Sequence, residues 1–240
     1  MSKKDNSSRV PQREKLKDNL EIKPFEWTKK QKEFLEIALD KNTRAMFING
    51  PAGTSKTLLA VYACLLMLNE KKISDLIYIR SAVESSDARL GFLPGDAEQK
   101  LHFFNLPFYD KLQELLNKID IERLSKEKRI SFHPVNFARG MSWNAKAIIM
   151  DESQNSSLKE IITVLTRLGK FSKCFILADP TQTDLHNGKG GGFEKISKLF
   201  DDEESKNNGL RVFHFTEDDI MRDELVKYIV KKVKALNVIA

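Results

Sequence analysis

The stretch Met46-Phe47-Ile48-Asn49-Gly50-Pro51-Ala52-Gly53-Thr54-Ser55-Lys56-Thr57-Leu58-Leu59-Ala60 constrains this chain more than any other. An apolar run ends in a glycine-containing loop, which passes through Lys-Thr into a second apolar run. The order predicts a strand, a tight loop and a helix. Glycines let the backbone curl so that successive N–H groups point inward at an anion. The helix that begins near Lys56 aims its positive end at the same place. Gly50, Pro51, Ala52, Gly53, Thr54, Ser55, Lys56 and Thr57 together read as a phosphate cradle. Lys56 would reach the β- and γ-phosphates, and the Thr57 hydroxyl would ligate Mg²⁺. One position departs from the pattern Gly, four residues, Gly-Lys-Ser/Thr: Ser55 stands where glycine is expected. Two outcomes are open for it. Ser55 takes ordinary helical angles and turns outward, or the loop is loosened and turnover slows. A glycine turn that binds nothing is the bland alternative.

A second signal is Ala147-Ile148-Ile149-Met150-Asp151-Glu152-Ser153-Gln154-Asn155. Four apolar residues predict a buried strand with two carboxylates at its C-terminal end, where open α/β sheets place their chemistry. Asp151 is the candidate metal residue beside Thr57, and Glu152 the candidate for polarising an attacking water. By itself the pair also reads as a solvated acidic turn. Its position downstream of a phosphate loop favours the chemical reading. In Phe175-Ile176-Leu177-Ala178-Asp179-Pro180-Thr181-Gln182 a third strand ends near Gln182, which could touch a γ-phosphate or the water. The alternative is a turn residue after Asp-Pro.

The remaining sequence alternates. Apolar strand-like runs at Ala45–Asn49, Leu76–Ile79, Ile130–Phe132, Ala147–Met150, Cys174–Leu177 and Val212–Phe215 are separated by helical patterns. Those patterns fall at Thr57–Asn69, Phe108–Lys118, Leu158–Arg167, Phe193–Phe200 and Asp223–Ala235. Such alternation predicts an α/β fold, a mostly parallel sheet with helices on both faces. Thr28 is a candidate N-cap for a further helix carrying Phe34, Ile37 and Ala38. Residues 1–23 are polar and charged and read as a flexible basic tail before a domain spanning 24–240. Residues 201–209 read as a solvated loop.

No run of about eighteen apolar residues predicts a membrane span, and the polar start lacks a secretory signal, which points to the cytoplasm. Cys64 and Cys174 sit in apolar runs and read as buried, reduced thiols. The net charge of +6 attracts polyanions, but 34 acidic residues stand against 40 basic ones, so a scattered solvated surface explains it equally well. His102, Phe103, Phe104, Phe108 and Tyr109 read first as packing and second as a base-stacking surface. His133 and Trp143, flanking Arg139, fit either a nucleic-acid path or a packed loop.

Taken together these segments resemble the PhoH family of ATPases, among the superfamily 1 helicase-like P-loop proteins. The resemblance covers about residues 25–235 and rests on stretches beyond the phosphate loop. These are Gly91-Phe92-Leu93-Pro94-Gly95-Asp96, Ala138-Arg139-Gly140, Ile149–Asn155, Leu165-Thr166-Arg167-Leu168-Gly169, Asp179–Leu185 and Asp219–Val226. Ser55, Ser81 and Ala178 depart from the family pattern, as does Met221-Arg222-Asp223 where Val-Arg-His is usual. The resemblance implies a RecA-like P-loop core that binds and hydrolyses ATP with Mg²⁺. It implies catalytic roles for Lys56, Glu152, Gln182 and Arg222. Gln31 would read the adenine edge, and Arg80, Arg139 or Arg167 would serve as arginine finger or nucleic-acid contact. RNA or single-stranded nucleic acid is the implied partner, and a hexameric ring of copies the implied assembly. A nucleotide-gated assembly module with incidental turnover is the competing reading. A small-molecule kinase is the weaker third, since no acceptor-binding motif is visible.

Overall fold

Six short strands hydrogen-bond into one sheet, every pair of neighbours parallel. The computed structural model describes residues 14–80, 97–138, 140–179, 182, 192–221, 224, 225, 228 and 232. The strands are β1 (Ala45–Asn49), β2 (Asp75–Arg80), β3 (Ile130–Phe132), β4 (Lys146–Asp151), β5 (Lys173–Ala178) and β6 (Leu210–His214), in the order β3-β2-β4-β5-β1-β6. Ahead of β1 runs α1 (Lys29–Leu39), and between the strands run α2 (Lys56–Asn69), α3 (Ala97–Leu115), α4 (Lys118–Lys126), α5 (Leu158–Leu165), α6 (Gly192–Leu199) and α7 (Glu203–Asn207).

The period of two along each strand divides the core in two. Met46 and Ile48, Leu76 and Tyr78, Ala147 and Ile149, and Phe175 and Leu177 face one cluster, which α1, α2, α3 and α4 cover. Ala45 and Phe47, Ile77 and Ile79, Ile148 and Met150, and Cys174 and Ile176 face the other, covered by α5 and α6. The near-continuous apolar runs in the sequence follow from burial on both faces. Helix α2 is buried almost all round, from Leu58 to Leu68. Each large side chain it buries stabilises the fold by about 1.5–3 kcal/mol, which sets the scale for any local strain at its start.

Several expectations are refined. Thr28 caps α1 in a reciprocal box with Gln31, as its position before the helix predicts. Residues 14–23, read as part of a flexible tail, instead lie on the core. Leu16 and Leu20 are 2% and 4% exposed. The Leu20 N–H donates to Asn69 Oδ1 at 2.7 Å and Lys23 N–H to the Leu115 carbonyl at 2.8 Å. Two leucines in a polar background anchor this segment, a signal too sparse for composition to register. Residues 1–13 lie outside the described residues. The loop expected over 201–209 contains α7, capped by the Asp202 side chain on the Ser205 N–H. Strand β6 begins two residues earlier than expected and ends one earlier. Helix α3 starts well before Phe108 and carries Pro107 within it.

Phe108 packs on Tyr78 and Phe132 at centroid distances of 4.8 and 5.6 Å, and Tyr109 on Phe132 at 5.4 Å. These two aromatics are core, in line with the packing reading. Trp143 is likewise buried in the second cluster. Cys64 and Cys174 are free, buried and on opposite faces of the sheet. Among the described residues no helix is long and apolar enough to cross a membrane.

Candidate nucleotide-binding site

The phosphate-loop strand β1 and the acidic strand β4 are not neighbours, because β5 lies between them. With strands about 4.8 Å apart, their C-terminal ends stand roughly 9–10 Å from one another. A cavity of about 540 Å³ opens there, lined by loop residues 52, 53 and 55–57, by Asp151, Glu152 and Gln154, and by Asp179 and Gln182. Lys111 and Glu114 of α3 and Met221 complete its wall.

The loop is pinned from several sides. Gly50 N–H donates to the Ala178 carbonyl at 3.2 Å, and Phe215 N–H to the Asn49 carbonyl at 2.8 Å. A Cβ at Gly50 would come within 2.6 Å of the Phe215 Cβ, so only glycine fits. Thr54 is buried, its hydroxyl donating to the Pro51 carbonyl at 2.9 Å. Gly53 has φ +86°, and Met221 N–H donates to its carbonyl at 2.9 Å. Ser55 does not take the ordinary helical angles of the first expected route. It sits in the left-handed region (φ 64°, ψ 21°) as the N-cap of α2, with no side-chain capping bond. A left-handed L-residue costs about 1–2 kcal/mol, small beside the burial of the helix that follows.

Lys56 Nζ donates to the carbonyls of Gly50 and Pro51 at 2.6 and 2.9 Å. Burial lowers its pKa, and the nearby carboxylates of Asp179, Asp151 and Glu152 oppose that shift. The ammonium therefore already lies where the loop encloses an anion, held by the loop's own carbonyls. Thr57 Oγ1 donates to Asp151 Oδ2 at 3.1 Å, joining the start of α2 to the end of β4. The same carboxylate oxygen accepts from the Tyr78 hydroxyl at 2.9 Å. Burial first, then the Asp151 charge and hydrogen bond, push the Tyr78 pKa well up, so the phenol keeps its proton. Asp151 Oδ1 accepts the Glu152 N–H at 3.0 Å. Both oxygens are thus oriented, and a cation in this corner would find a carboxylate and a hydroxyl side by side.

Glu152 also adopts a left-handed backbone (φ 53°, ψ 37°). Such strain persists where surrounding contacts over-determine it and concentrates at functional sites. Arg80 Nη2 lies 3.7 Å from Glu152 Oε1, and Gln154 Nε2 donates to Glu152 Oε2 at 2.6 Å. Gln154 is the hub of this corner. Its Nε2 also donates to the Gln182 carbonyl at 3.2 Å, and its Oε1 accepts the Asp179 N–H at 3.1 Å. One buried amide therefore ties the acidic pair to the segment after β5.

A family model described as "PhoH-like protein" matches residues 22–234. The chain belongs to the PhoH-like family. A PhoH-like protein of Synechocystis is 35% identical over 204 residues, covering 85% of this chain and 60% of its own length. One from Bacillus subtilis is 33% identical over 195 residues, covering 81% and 60%. The chain thus spans about three fifths of these relatives. A solved large terminase from a thermophilic bacteriophage covers 87% of this chain and 50% of its own at a TM-score of 0.49 and 14% identity. The fold is a parallel six-stranded α/β sheet whose first strand runs into the 50–57 loop, and the chain is a P-loop protein of the PhoH-like type.

Within this PhoH-like site the expected residues fall into three groups. Lys56, Thr57, Asp151, Glu152 and Gln182 converge on one cavity with the loop residues Ala52, Gly53 and Ser55, and Arg80 stands beside Glu152. Gln31 is buried, its Oε1 accepting the Thr28 N–H at 3.0 Å as a helix cap, and it does not line the cavity. Arg167 follows α5, with its carbonyl accepting the Trp143 N–H ahead of β4. That is the far edge of the sheet, a strand length of roughly 15–20 Å from the cavity. It cannot reach the nucleotide site of its own chain. Arg139 and Arg222 lie outside the described residues, as does the 183–191 segment. Tyr78 and Gln154 are the residues that reasoning from sequence missed. The apolar run through Tyr78 hid a polar tip, and Gln154 was read only as part of a family stretch.

Proposed function

We propose that this PhoH-like chain hydrolyses ATP, or a close relative, with Mg²⁺, and couples turnover to RNA or single-stranded nucleic acid. The observation that carries the first half is the Thr57–Asp151 hydrogen bond beside the Lys56 ammonium. It brings a hydroxyl and a carboxylate, both hard oxygen donors, to the mouth of an anion-binding loop, which is the donor set a magnesium triphosphate requires. Magnesium, when bound, neutralises phosphate charge. Lys56 would leave its loop carbonyls for phosphate oxygens, and the loop N–H groups would hold the chain of phosphates. Glu152, fixed by Gln154 and Arg80, would accept a proton from the attacking water. Gln182 would orient the same water. Arg222 follows Met221, whose N–H is bonded to the phosphate loop, which supports a role for it near the γ-phosphate. Arg167, at the far edge of the sheet, suits a contact to a neighbouring copy in a ring.

The test is Mg²⁺-dependent phosphate release by the wild type, Lys56→Ala and Glu152→Gln. Both variants should turn over roughly 10²–10³-fold more slowly, and a variant as fast as the wild type sinks the assignment. The self-bonded Lys56 and the left-handed Ser55 favour a second reading, in which nucleotide mainly gates assembly. Slow turnover indifferent to RNA, together with ATP-dependent change in particle size, would favour that module over an RNA-coupled ATPase.

A further inference from the structure

A second cavity, of about 750 Å³, lies at the opposite edge of the sheet from the phosphate loop. It is formed by the chain leaving α1, the end of α2, and the turns entering β4 and β5. Its walls carry Lys41, Arg44, Lys71, Lys72, Lys170 and Lys173, and among the described residues no carboxylate lines it. Two of these cations are fixed by main-chain carbonyls. Arg44 donates to the Ser172 and Gly169 carbonyls at 3.0 and 2.7 Å, and Lys173, 8% exposed, donates to those of Ala38 and Asp40, both at 2.6 Å. Lys72 pairs with Glu70 at 2.5 Å, whereas Lys41 and Lys170 form no ion pair among the described residues.

Two further observations point to a ligand. Thr43 lines the cavity, is 1% exposed, and its Oγ1 has no hydrogen-bond partner. A buried hydroxyl left unbonded costs about 1–3 kcal/mol, which a polar ligand atom would relieve. Phe171 also lines it while 67% exposed, on a backbone with φ 62°. A large apolar ring two-thirds exposed on a left-handed turn offers a face on which a ligand can stack. Met67 and Ile73 supply a buried apolar floor.

We propose that this cleft binds a nucleotide unit of single-stranded nucleic acid, the base stacked on Phe171 and the phosphates held by Lys41, Lys170 and their neighbours. A bare phosphate would leave the ring and the apolar floor unused. A fatty chain would leave Thr43 and the cations unsatisfied. An acidic peptide would match the charge but not the exposed ring. A positive groove combined with a stacking aromatic is the arrangement that binds single strands without sequence preference. This assignment rests on the nucleic-acid half of the functional reading above and is independent of the hydrolytic half.

The test is fluorescence anisotropy of a labelled single-stranded oligonucleotide on the full chain, with free mononucleotide and polyglutamate as competing ligands. Phe171→Gly suits the positive φ and should fold. It should weaken strand binding roughly 5–100-fold, the range a stacked base contributes. Lys41→Ala with Lys170→Ala should flatten the plot of log affinity against log salt by about 1.4, some 0.7 for each single-strand phosphate no longer neutralised. ATP turnover without nucleic acid should be unchanged in both. Wild-type strand affinity in both variants would overturn the cleft while leaving nucleic-acid coupling intact. No strand or mononucleotide binding by the wild type would overturn both. Mononucleotide binding alone, sensitive to Phe171→Gly, would support the cleft's chemistry and name a free nucleotide as its source. Equal displacement by polyglutamate would overturn it in favour of an acidic protein.

Discussion

At the scale of single residues, Ser55 is the sharpest test of how far a motif can be read. Its departure from glycine is visible in the sequence, but its conformation is not. The chain keeps the left-handed angle that the loop demands and bears the strain. Ser55→Gly should therefore stabilise the fold. A left-handed cost of about 1–2 kcal/mol, reduced by glycine's extra unfolded-state entropy of about 0.5–1 kcal/mol, leaves up to about 1.5 kcal/mol. Thermal unfolding should show Tm rising by roughly 2–4 °C, and a lower Tm would mean that the serine side chain makes a contribution of its own. Tyr78 offers a second test. Its hydroxyl orients the carboxylate proposed to hold magnesium. Tyr78→Phe should weaken Mg²⁺-dependent nucleotide binding roughly 10–100-fold, as loss of an outer-sphere partner commonly does, while nucleotide binding without metal stays near normal. Isothermal titration with and without magnesium separates the two. The convergence of Tyr78 and Asp151 depends on β2 and β4 pairing in register, Arg80 against Asp151. No local pattern in either strand announces that.

At the scale of elements, the sequence was most legible where burial is two-sided. All six strands lie within two residues of their apolar runs, and β1 and β3 match them fully; in the central strands β1, β2, β4 and β5 this follows from burial on both faces. Legibility fails where few side chains decide the outcome. Helix α7 is short and charged, and its cap Asp202 sits in an acidic run that reads as loop. The segment 14–23 buries only Leu16 and Leu20 among polar neighbours, with Ile22 partly buried beside them. Lys173, at the head of β5, is an element-level surprise of the same kind, a lysine opening a strand that is buried throughout. Burial, followed by the charge of Lys72, lowers its pKa to about 8 from 10.5, against the opposing charges of Asp40 and Glu70. The unfolded chain keeps this proton up to about 10.5, while the folded chain releases it near 8. The folded state thus binds fewer protons between those values, and stability rises with pH across that window. Urea midpoints of the wild type relative to Lys173→Met should shift in favour of the wild type from about pH 7 to about pH 10. A constant difference would show that the ammonium is solvated.

At the scale of the whole molecule, the net charge of +6 gains meaning from its placement. The sequence offered a scattered basic surface and a polyanion site on equal terms, and the linear order of lysines could not separate them. The fold gathers Lys41, Arg44, Lys71, Lys72, Lys170 and Lys173 from separate segments onto one edge. If nucleic acid is held through about four phosphates, log affinity should fall against log salt with a slope near −3, and a flat response would remove nucleic acid from the account. Strand β5 starts at this basic edge with Lys173 and runs straight to Ala178 and Asp179 at the nucleotide cavity. It is bonded to β1 on one side and β4 on the other. Flanked in this way, so short a segment behaves as a push-rod, unable to stretch or buckle by itself. A tilt imposed on it at the lysine end would be carried toward the Asp179 carboxylate, a route by which two occupants that never touch could sense each other.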